Sequence, residues 1–426
     1  HFLIVPSSTD LSFYSDWWIY RPTCRPLKHR NDRYLFFCCE GVASHKNEEK
    51  KTIVNVTKWL GRAFIVGRTR QMLALMTQFS IRGGLLLWIL YVPTGLAASY
   101  LLPKDGSRLV GYPETHHVEE GEHLEAIAKQ YNVGFLTLLA LNPGVDPYLP
   151  EPGSLVRLPR QYLLPKPPHE GIVINLAELR LYYFPAQSAA VKKAGESVSS
   201  ADKNTRRRVH IFPIGIGRIG RDTPKMDTFI SQKRKNPTWT PPQSIRDEYR
   251  QTRGVSLPDV VPAGPDNPLG KHALRLGYGH GEYLIHGTNK SFGIGLRVSA
   301  GCIRLRPDDI AWLFDAVDVR TPVRIIDTPT KVSLEPDGRV MVEAHRPLST
   351  TPDEAHKRIT RTPDPGVLSL FEHFGLSTQR YRAALAVQEG APIEVASLTP
   401  AQQQQWKRLN RESTSQLDPL QLETAQ

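Results

Sequence analysis

Short apolar segments separated by turn residues recur through the middle of this 426-residue chain, and they constrain its fold more than any other feature. Each segment is four to six residues long, which is typical of strands and shorter than most helices. The segments are Ile172–Leu176, Leu179–Phe184, Arg208–Phe212, Tyr283–His286 and Val323–Ile326. The 35 prolines also favour loops and short strands. We therefore predict a mainly β domain, a β-sandwich or barrel, over residues 170–327.

One or two helices are expected within this β domain. Pro307-Asp308-Asp309 is a typical helix start, and Ile310, Leu313, Phe314 and Val317 follow at the spacing of an apolar helix face. Residues 328–350 contain a strand pair, which predicts a trailing β-hairpin. Residues 351–426 are polar and end in a glutamine-rich stretch, so we predict a partly disordered tail there.

Residues 115–159 form a smaller unit with a different pattern. A short strand is predicted at Val118, helical spacing follows in His123–Tyr131 and Phe135–Leu139, and a strand closes the unit at Leu155–Leu158. The stretches EGEHLEAIAKQYNV, LLALNPG and PGSLVRLP resemble the LysM peptidoglycan-binding module. This resemblance implies a βααβ fold that binds glycan containing N-acetylglucosamine. A structural cap without a ligand is the alternative.

The first 98 residues differ in character from the rest of the chain. After Met76, Arg82 precedes the apolar run Leu85–Val92, and the small residues Gly95–Ala98 follow, which is typical of a secretory signal peptide. The run is far shorter than the about 20 residues of a membrane-spanning helix. We predict a signal peptide at 72–98, a periplasmic location and no stable membrane span after cleavage. Residues 1–71 are interpreted as upstream translated sequence or a non-native extension.

Export changes how the cysteines and the charge are interpreted. Cys24, Cys38 and Cys39 precede the predicted cleavage site, so Cys302 would be the only cysteine of the exported protein. An internal disulfide and a four-thiolate metal site are then excluded, which leaves an inert buried thiol or a reactive one. Half of the net charge of +12 lies in residues 1–71, and no basic helix with interleaved aromatic residues follows. Nucleic-acid binding is therefore weakly supported.

A glycine-rich motif, GIGRIG at Gly215–Gly220, matches the pattern of a dinucleotide-binding loop. Such a loop needs a strand before it and a helix after it, within a βαβ unit. Here Arg221-Asp222-Thr223-Pro224 follows, which indicates a turn rather than the start of a helix. We interpret the motif as a glycine-rich strand and turn.

A stronger constellation lies in the stretch YLIHGTNKSFGIGLRVSAGCIRL. His286 ends an apolar strand, and Gly293 and Gly295 permit a reversal that can bring Cys302 beside it. An imidazole close to a thiol promotes formation of the nucleophilic thiolate. Arg304 can bind a substrate carboxylate through two hydrogen bonds. The alternative is a core cysteine beside a strand-end histidine.

Three backbone N–H groups next to the thiol could stabilise a developing oxyanion. They belong to Ala300, Gly301 and Cys302, and we expect them to point into one concavity. Gly301 also removes side-chain bulk beside the sulfur. The predicted site needs neither a metal nor an organic cofactor.

The blocks IHGT, RVS and GCIRL together resemble the signature of the YkuD-type L,D-transpeptidases. The stretches NPTWTPP, VVPAGPDNPLGKHALRL and SLEPDGRVMVEAHRPLS resemble the ErfK/YbiS branch of that family in Gram-negative bacteria. The resemblance implies that Cys302 is the acyl-enzyme nucleophile, that His286 is the general base and acid, and that the Gly287 carbonyl orients the imidazole. Ser299 belongs to the supporting residues, with Arg304 and Tyr283 on the substrate side. Many members have His or Lys at the position of Ala300.

The implied reaction is acyl transfer on peptidoglycan tetrapeptide stems through a cysteine thioester. The acceptor would be a diaminopimelate amine, giving a 3-3 crosslink, or a lysine of an outer-membrane lipoprotein. An L,D-carboxypeptidase or another hydrolase on the same scaffold, and a non-catalytic wall-binding protein, are the alternatives.

Overall fold

The structure is a computed structural model. It describes residues 98–186, 207–290, 292–355, 357, 359 and 361–412, together with a two-residue ladder between β1 (Leu27–Lys28) and β2 (Tyr34–Leu35). Apart from this ladder and Ala98, the predicted extension at 1–71 and the predicted signal peptide at 72–98 lie outside the described residues. Within the described part of the chain, no helix is long and apolar enough to cross a membrane.

The unit predicted at 115–159 has the expected order of strand, helix, helix and strand. Its elements are β5 (Glu114–His117), α1 (Leu124–Gln130), α2 (Phe135–Leu141) and β6 (Leu155–Leu158), preceded by β3 (Ala98–Leu101) and β4 (Leu109–Gly111). Strands β5 and β6 pair antiparallel, with the first strand ending at His117 rather than beginning at Val118. The core of this small unit lies between the helices and the strands. Its fully buried residues include Leu124, Ile127, Leu138 and Val156.

The following domain is mainly β, as the sequence predicts. Its strands are β7 (Gln161–Leu163), β8 (Gly171–Asn175), β9 (Arg180–Phe184), β10 (Arg208–Pro213), β11 (Ile216–Gly217), β12 (Met226–Lys235), β13 (His272–Leu276), β14 (Leu284–His286), β15 (Arg297–Ser299), β16 (Ile303–Arg304) and β17 (Pro322–Ile326). Nine strands form one sheet in the order β16-β14-β13-β12-β17-β8-β9-β10-β3. Two pairs, β14 with β16 and β8 with β17, are parallel. The parallel β14–β16 pair lies at one edge and carries the candidate site.

Two helices accompany this sheet. They are α3 (Gln243–Arg253) and α4 (Pro307–Ala316). Helix α4 begins with the predicted proline, because Pro at the first helical position needs no N–H donor. It buries Ile310 and Leu313 in the main core, as the apolar spacing predicts.

The C-terminal region corrects two predictions. Its elements are β18 (Thr330–Leu334), β19 (Arg339–Ala344), α5 (Pro352–Ala355), α6 (Pro365–His373), α7 (Gln379–Val387), β20 (Pro392–Ser397) and α8 (Pro400–Glu412). The hairpin predicted at 328–350 is not a separate trailer, because β20 pairs antiparallel with β19 and completes a three-stranded sheet. The prediction of a partly disordered tail is wrong for residues 361–412; residues 413–426 lie outside the described part.

A hydrophobic core holds this C-terminal unit together. Phe371 and Tyr381 are fully buried beside Val340 and Val342 of the sheet. The apolar residues of α6 and α7 sit at helical spacing within short helices, so the polar average composition of the segment concealed them. A hydrophobic face on each short helix is enough when a sheet is available to cover it.

A buried polar joint connects the α1–α2 unit to the segment behind the candidate site. The amide of Asn132 donates to Asp309 over 2.8 Å and accepts from Arg306 over 2.5 Å. Arg306 also donates to the carbonyl oxygens of Ala128 and Val133, at 3.3 and 3.2 Å. Arg306 follows strand β16 by two residues, so the small unit is fixed directly behind the strand that follows Cys302.

Candidate active site

The predicted reversal between His286 and Cys302 is present. Strand β14 ends at His286, the chain turns back, and β16 lies parallel to β14 with Ile303 opposite Ile285 and Arg304 opposite His286. Cys302 lies just before β16, so it is close to the beginning of β14 rather than directly opposite His286. Parallel pairing with a short return is possible because Gly293 and Gly295 adopt φ values of +101° and +78°.

The reversal packs tightly against the α1–α2 unit at Gly295. A Cβ atom at this position would lie 2.4 Å from the backbone nitrogen of Phe135, at the start of α2. The glycine is therefore required by close backbone approach as well as by its positive φ. This contact adds to the polar joint at Arg306, and both fix the segments that flank the thiol.

The His286 side chain is buried, with 3% of its surface exposed. Its Nδ1 atom lies 2.6 Å from the Gly287 carbonyl oxygen, so Nδ1 carries the proton and Nε2 keeps its lone pair. This is the contact that the sequence analysis expects of Gly287. Burial, and secondly the positive charge of Arg304, lower the pKa of His286 to about 3. The imidazole is thus neutral and able to accept a proton at physiological pH.

The thiol of Cys302 is free and retains partial access to solvent. Its Sγ donates to the Glu282 carbonyl oxygen over 3.5 Å. Burial raises the pKa of the thiol, while the backbone N–H of Leu284 and the charge of Arg304 act in the opposite direction. The resting site therefore contains a neutral thiol and a neutral imidazole rather than a thiolate–imidazolium pair.

The loop between β15 and β16 differs from the prediction in one respect. The Gly301 N–H donates to the Ser299 hydroxyl oxygen over 3.2 Å, and that hydroxyl donates to the Cys302 carbonyl oxygen. The Gly301 N–H is therefore occupied and cannot join Ala300 and Cys302 in a common oxyanion site. Ser299 is buried, so its hydroxyl is a fixed part of the loop. The Ala300 side chain is exposed and makes no contribution to this arrangement.

Arg304 supplies a positive charge without a carboxylate partner among the described residues. Its Nε atom is buried and makes no hydrogen bond within them, and desolvation lowers the pKa of the guanidinium. A buried guanidinium of this kind is costly unless an anion pairs with it. Lys290 lies in the same region, because burial and the charges of Arg253 and Arg304 lower the pKa of its ammonium group. This basic region suits a substrate with more than one carboxylate.

Helix α3 provides part of the wall beside Arg304. Glu248 of this helix forms ion pairs with Arg218 and Arg221, the latter at 3.3 Å. Arg253 stacks over the Tyr249 ring, 4.4 Å from its centroid. Glu248 therefore offsets one of the two positive charges of Arg218 and Arg221, and Arg304 and Lys290 make no ion pair with a described carboxylate.

Tyr283 packs beside Gly301 in the loop between β15 and β16. Its ring packs edge-on against Tyr278 with centroids 5.7 Å apart, and a Cβ at Gly301 would approach Tyr283 Cε1 to 3.2 Å. The aromatic ring therefore limits the space beside Gly301. It contacts the loop rather than the basic region at Arg304.

Two groups at the site were missed by the sequence analysis. Thr223 is buried and donates to the Gly301 carbonyl oxygen over 2.9 Å. The sequence around it was interpreted only as a turn after the glycine-rich motif. The backbone of Glu282 and Leu284, which contacts the thiol, carries no sequence signal because any residue supplies a carbonyl and an N–H.

One group of described residues has the composition of a metal site, away from Cys302. Glu178, Glu343 and His345 offer ligand atoms within 4.8 Å of one another. Lys331 lies 2.8 Å from Glu178 and 3.1 Å from Glu343, and Arg180 pairs with both carboxylates. Two cations balance two carboxylates, so no negative charge is left to attract a metal ion. The group is a buried ion-pair network that joins β9 to the C-terminal sheet.

Comparisons with known proteins agree with this architecture. Residues 169–325 match the L,D-transpeptidase catalytic domain (YkuD), residues 329–395 match the L,D-transpeptidase C-terminal domain, and residues 116–159 match the LysM domain. The predicted family resemblance is thus confirmed. The C-terminal match covers much of the folded unit that the sequence analysis divided into a hairpin and a tail.

The chain aligns with most of the length of three curated relatives. The probable L,D-transpeptidase YcfS of Escherichia coli is 50% identical over 302 residues, which is 70% of this chain and 88% of that protein. The probable L,D-transpeptidase ErfK/SrfK of the same organism is 44% identical over 309 residues, covering 71% and 93% of the two chains. The probable L,D-transpeptidase YbiS, also from Escherichia coli, is 47% identical over 264 residues, covering 61% and 79%.

Proposed function

Because this chain belongs to the L,D-transpeptidase family, we propose that it transfers acyl groups between peptidoglycan stems through a thioester on Cys302. The donor is a tetrapeptide stem, and the bond that breaks joins the L-centre of diaminopimelate to the terminal D-alanine. The reaction takes place in the periplasm after removal of the signal peptide at 72–98. The observation that carries the proposal is the pairing of β16 with β14, which places the free thiol of Cys302 one residue before β16 and the buried, neutral His286 at the end of the adjoining β14.

The first half of the reaction forms the thioester. Cys302 Sγ attacks the donor carbonyl carbon as its proton passes to Nε2 of His286, the ring nitrogen that carries no proton when Nδ1 donates to Gly287. The tetrahedral intermediate collapses, the C–N bond breaks, and the imidazolium returns the proton to the leaving amine of D-alanine. The products of this half are the thioester and free D-alanine, with no net change in protonation of the protein.

Arg304 links substrate binding to this chemistry. A substrate carboxylate would pair with its guanidinium and relieve the cost of burying that charge. The same carboxylate would screen the positive charge that lowers the pKa of both His286 and Cys302. Both values would then rise, which makes the imidazole a stronger base and the thiolate, once formed, a stronger nucleophile.

The second half of the reaction consumes the thioester. An acceptor amine attacks the thioester carbonyl, loses a proton to His286, and displaces the Cys302 thiolate, which recovers that proton. Diaminopimelate as the acceptor gives a 3-3 crosslink, and a lipoprotein lysine gives an attached lipoprotein. Exclusion of water from the partly buried thioester favours an amine over hydrolysis. The LysM-like module would hold the glycan strand during both halves.

A labelled tetrapeptide stem tests this function. The wild-type protein is expected to release D-alanine and to form a crosslinked or exchanged product only when an acceptor amine is present. The matched variant Cys302→Ala is expected to release none, and a carbapenem should add its mass to Cys302 in the wild type alone. Release of D-alanine with no acceptor-dependent product would establish a carboxypeptidase instead. No release and no carbapenem adduct would leave a wall-binding protein.

A further inference from the structure

We propose that Thr223 is a positioning residue that aims the backbone N–H of Cys302 at the oxyanion formed during acyl transfer. The inference rests on the proposed function for its substrate, but not for its chemistry, since any acylation of Cys302 passes through such an oxyanion. Thr223 belongs to the turn after the glycine-rich motif and lies 79 positions before the nucleophile in the sequence. It touches neither the thiol nor the imidazole, so its effect is exerted through the backbone.

The Thr223 hydroxyl makes two hydrogen bonds in a buried environment. It accepts from the Gly217 N–H over 3.0 Å and donates to the Gly301 carbonyl oxygen over 2.9 Å. Only 6% of the Thr223 surface is exposed. Because the hydroxyl has one proton, the bond from Gly217 leaves that proton committed to Gly301. The direction of both hydrogen bonds is therefore determined.

The bond to Gly301 determines the orientation of the next N–H. The carbonyl of Gly301 and the N–H of Cys302 belong to one planar, trans peptide group, in which these two bonds point in opposite directions. Thr223 holds the carbonyl on its own side of the loop, so the Cys302 N–H points away from it. This N–H is adjacent to the sulfur, which is where an oxyanion donor is required.

Gly301 makes this restraint necessary. Its φ of +104° lies in a region that glycine reaches without strain, and glycine can adopt other conformations equally well. The peptide between Gly301 and Cys302 is thus easy to rotate unless another group holds it. The hydrogen bonds of Ser299 hold the Gly301 N–H and the Cys302 carbonyl, which lie on either side of this peptide. Thr223 is the described side chain that holds the peptide itself.

The turn that carries Thr223 packs closely against a paired strand. Gly217 is the register partner of Ser299, in the short parallel ladder between β11 and β15. A Cβ at Gly217 would lie 2.7 Å from the Thr223 nitrogen and 2.2 Å from the Arg221 carbonyl oxygen. The glycine-rich motif therefore has a structural purpose unrelated to nucleotides. It allows the turn that carries Thr223 to approach the loop between β15 and β16, which contains Cys302.

The experiment compares two reactions of the same thiol in the full chain. Acetylation by p-nitrophenyl acetate proceeds through a tetrahedral oxyanion and releases p-nitrophenolate. Alkylation by iodoacetamide displaces iodide directly and forms no oxyanion. Peptide mass spectrometry counts the adducts at Cys302 and separates them from adducts at the other cysteines. Wild type, Thr223→Val, Thr223→Ser and Thr223→Ala are compared at one pH.

Thr223→Val is expected to slow acetylation at least about tenfold, because loss of an oxyanion donor costs about 10²–10³ in rate and here the donor is loosened rather than removed. Alkylation should stay within about twofold of wild type. Thr223→Ser retains the hydroxyl and should recover most of the acetylation rate. If Thr223→Val does not fold, Thr223→Ala takes its place: it also removes the hydroxyl and should show the same selective loss of acetylation.

Thr228→Val is the matched control. The Thr228 hydroxyl is buried and has no hydrogen-bond partner within the described residues, so its removal should change neither rate. Equal loss of acetylation and alkylation in the Thr223 variants would show a general disruption and overturn the proposal. Unchanged acetylation would also overturn it. The wild type could react with p-nitrophenyl acetate at Cys302 and still leave the tetrapeptide stem intact. The proposed function would then fail, while the comparison of acetylation with alkylation would still test the role of Thr223.

Discussion

His286 and Arg304 are register partners on neighbouring parallel strands, so an unneutralised guanidinium acts on a buried imidazole. Burial alone would favour the neutral form of His286, and the positive charge of Arg304 strengthens that preference. The same guanidinium favours the thiolate of Cys302, but burial of the thiol outweighs it. Cys302 of the free protein is therefore a neutral thiol, and we expect its reactivity to depend on what binds to Arg304.

We predict that the pH dependence of Cys302 alkylation has its inflection above 9.0, the ordinary value from which burial raises the pKa of this thiol. The measurement is the iodoacetamide rate in the wild type between pH 5 and 11, read at Cys302 by mass spectrometry. No step is expected near pH 6 to 7, since His286 stays neutral there. A plateau of high reactivity that begins below pH 7 would show a resting thiolate–imidazolium pair and contradict this view.

Replacement of Arg304 by glutamine should weaken substrate binding and raise the pKa of His286. Loss of the positive charge removes the second cause of the low histidine pKa, while burial remains. We expect KM for the tetrapeptide stem to rise at least about tenfold, because a charge-assisted pair with a carboxylate is lost. NMR titration of the His286 ring should show the upward shift. A histidine pKa that stays the same in Arg304→Gln would mean that the two side chains do not interact.

Lys290→Gln should raise KM by a smaller factor and leave kcat unchanged. Its ammonium group lies near Arg304 and Arg253 but makes no ion pair within the described residues, so it can contribute to binding of a second substrate carboxylate. The effect should shrink as salt is added, because the group is partly exposed. Arg250→Gln, which removes an exposed cation that pairs with Asp247 on α3, is the control and should have little effect.

Ser299→Ala should lower kcat while KM changes little. The hydroxyl joins the Gly301 N–H to the Cys302 carbonyl oxygen, so its loss frees both ends of the segment Gly301–Cys302. We expect a reduction of about tenfold or more in D-alanine release, together with slower carbapenem acylation. Ser231→Ala removes a hydroxyl that donates to the Arg275 carbonyl oxygen on β13, and it should retain wild-type rates. Equal rates in the two variants would argue against a role for Ser299.

The joint at Asp309 should make the stability of the protein depend on pH. Burial raises the pKa of Asp309 to about 7, although Arg306 and Asn132 act in the opposite direction. In the unfolded chain the group ionises near 3.8, so its contribution to stability is full below that pH and is lost as the pH rises through about 7. Between these limits the free energy of unfolding should fall by up to about 1.4 kcal/mol per pH unit because of this group.

Urea unfolding of the wild type and Asp309→Asn at pH 4 to 8 measures this contribution. The difference between the two curves isolates Asp309 from the other titrating groups. We expect the variant to have the flatter profile, since asparagine does not titrate. Parallel curves would show that Asp309 has an ordinary pKa in the folded protein.

The buried network in the C-terminal unit should stabilise the protein without binding a metal. Lys331→Met leaves Glu178 and Glu343 with Arg180 as their remaining cation, and breaking a buried pair in this way costs about 3–5 kcal/mol. Urea unfolding should show this loss, and addition of EDTA should not shift the wild-type curve. Asp337→Asn removes an exposed pair with Arg339 and should cost about 0–1 kcal/mol. Destabilisation of the wild type by EDTA would instead indicate a bound metal.

The strand pattern and the Cys302 motif were accessible to sequence reasoning because their signals are local. Short apolar segments identify strands, and the two glycines before β15 indicate the reversal that brings Cys302 to the edge of β14. The helix after the motif could also be predicted from its proline and its apolar spacing. Each of these features depends on residues at most sixteen positions apart in the chain, the separation of His286 and Cys302.

The C-terminal unit and Thr223 could not be predicted in the same way. The helices of residues 361–412 depend on a sheet whose third strand comes from Pro392–Ser397, far from the hairpin it completes. Thr223 reaches Gly301 across 78 positions, and its sequence context indicates only a turn.

The sequence by itself determined the mainly β class, the order of the small βααβ unit, and that Cys302 follows His286 across a short reversal. Tertiary structure decided the register that sets Arg304 opposite His286 and the hydrogen bond that commits the Gly301 N–H to Ser299. It also decided that residues 361–412 are folded. The physical reason is that hydrogen-bond direction, burial and charge proximity belong to pairs of groups brought together from distant segments.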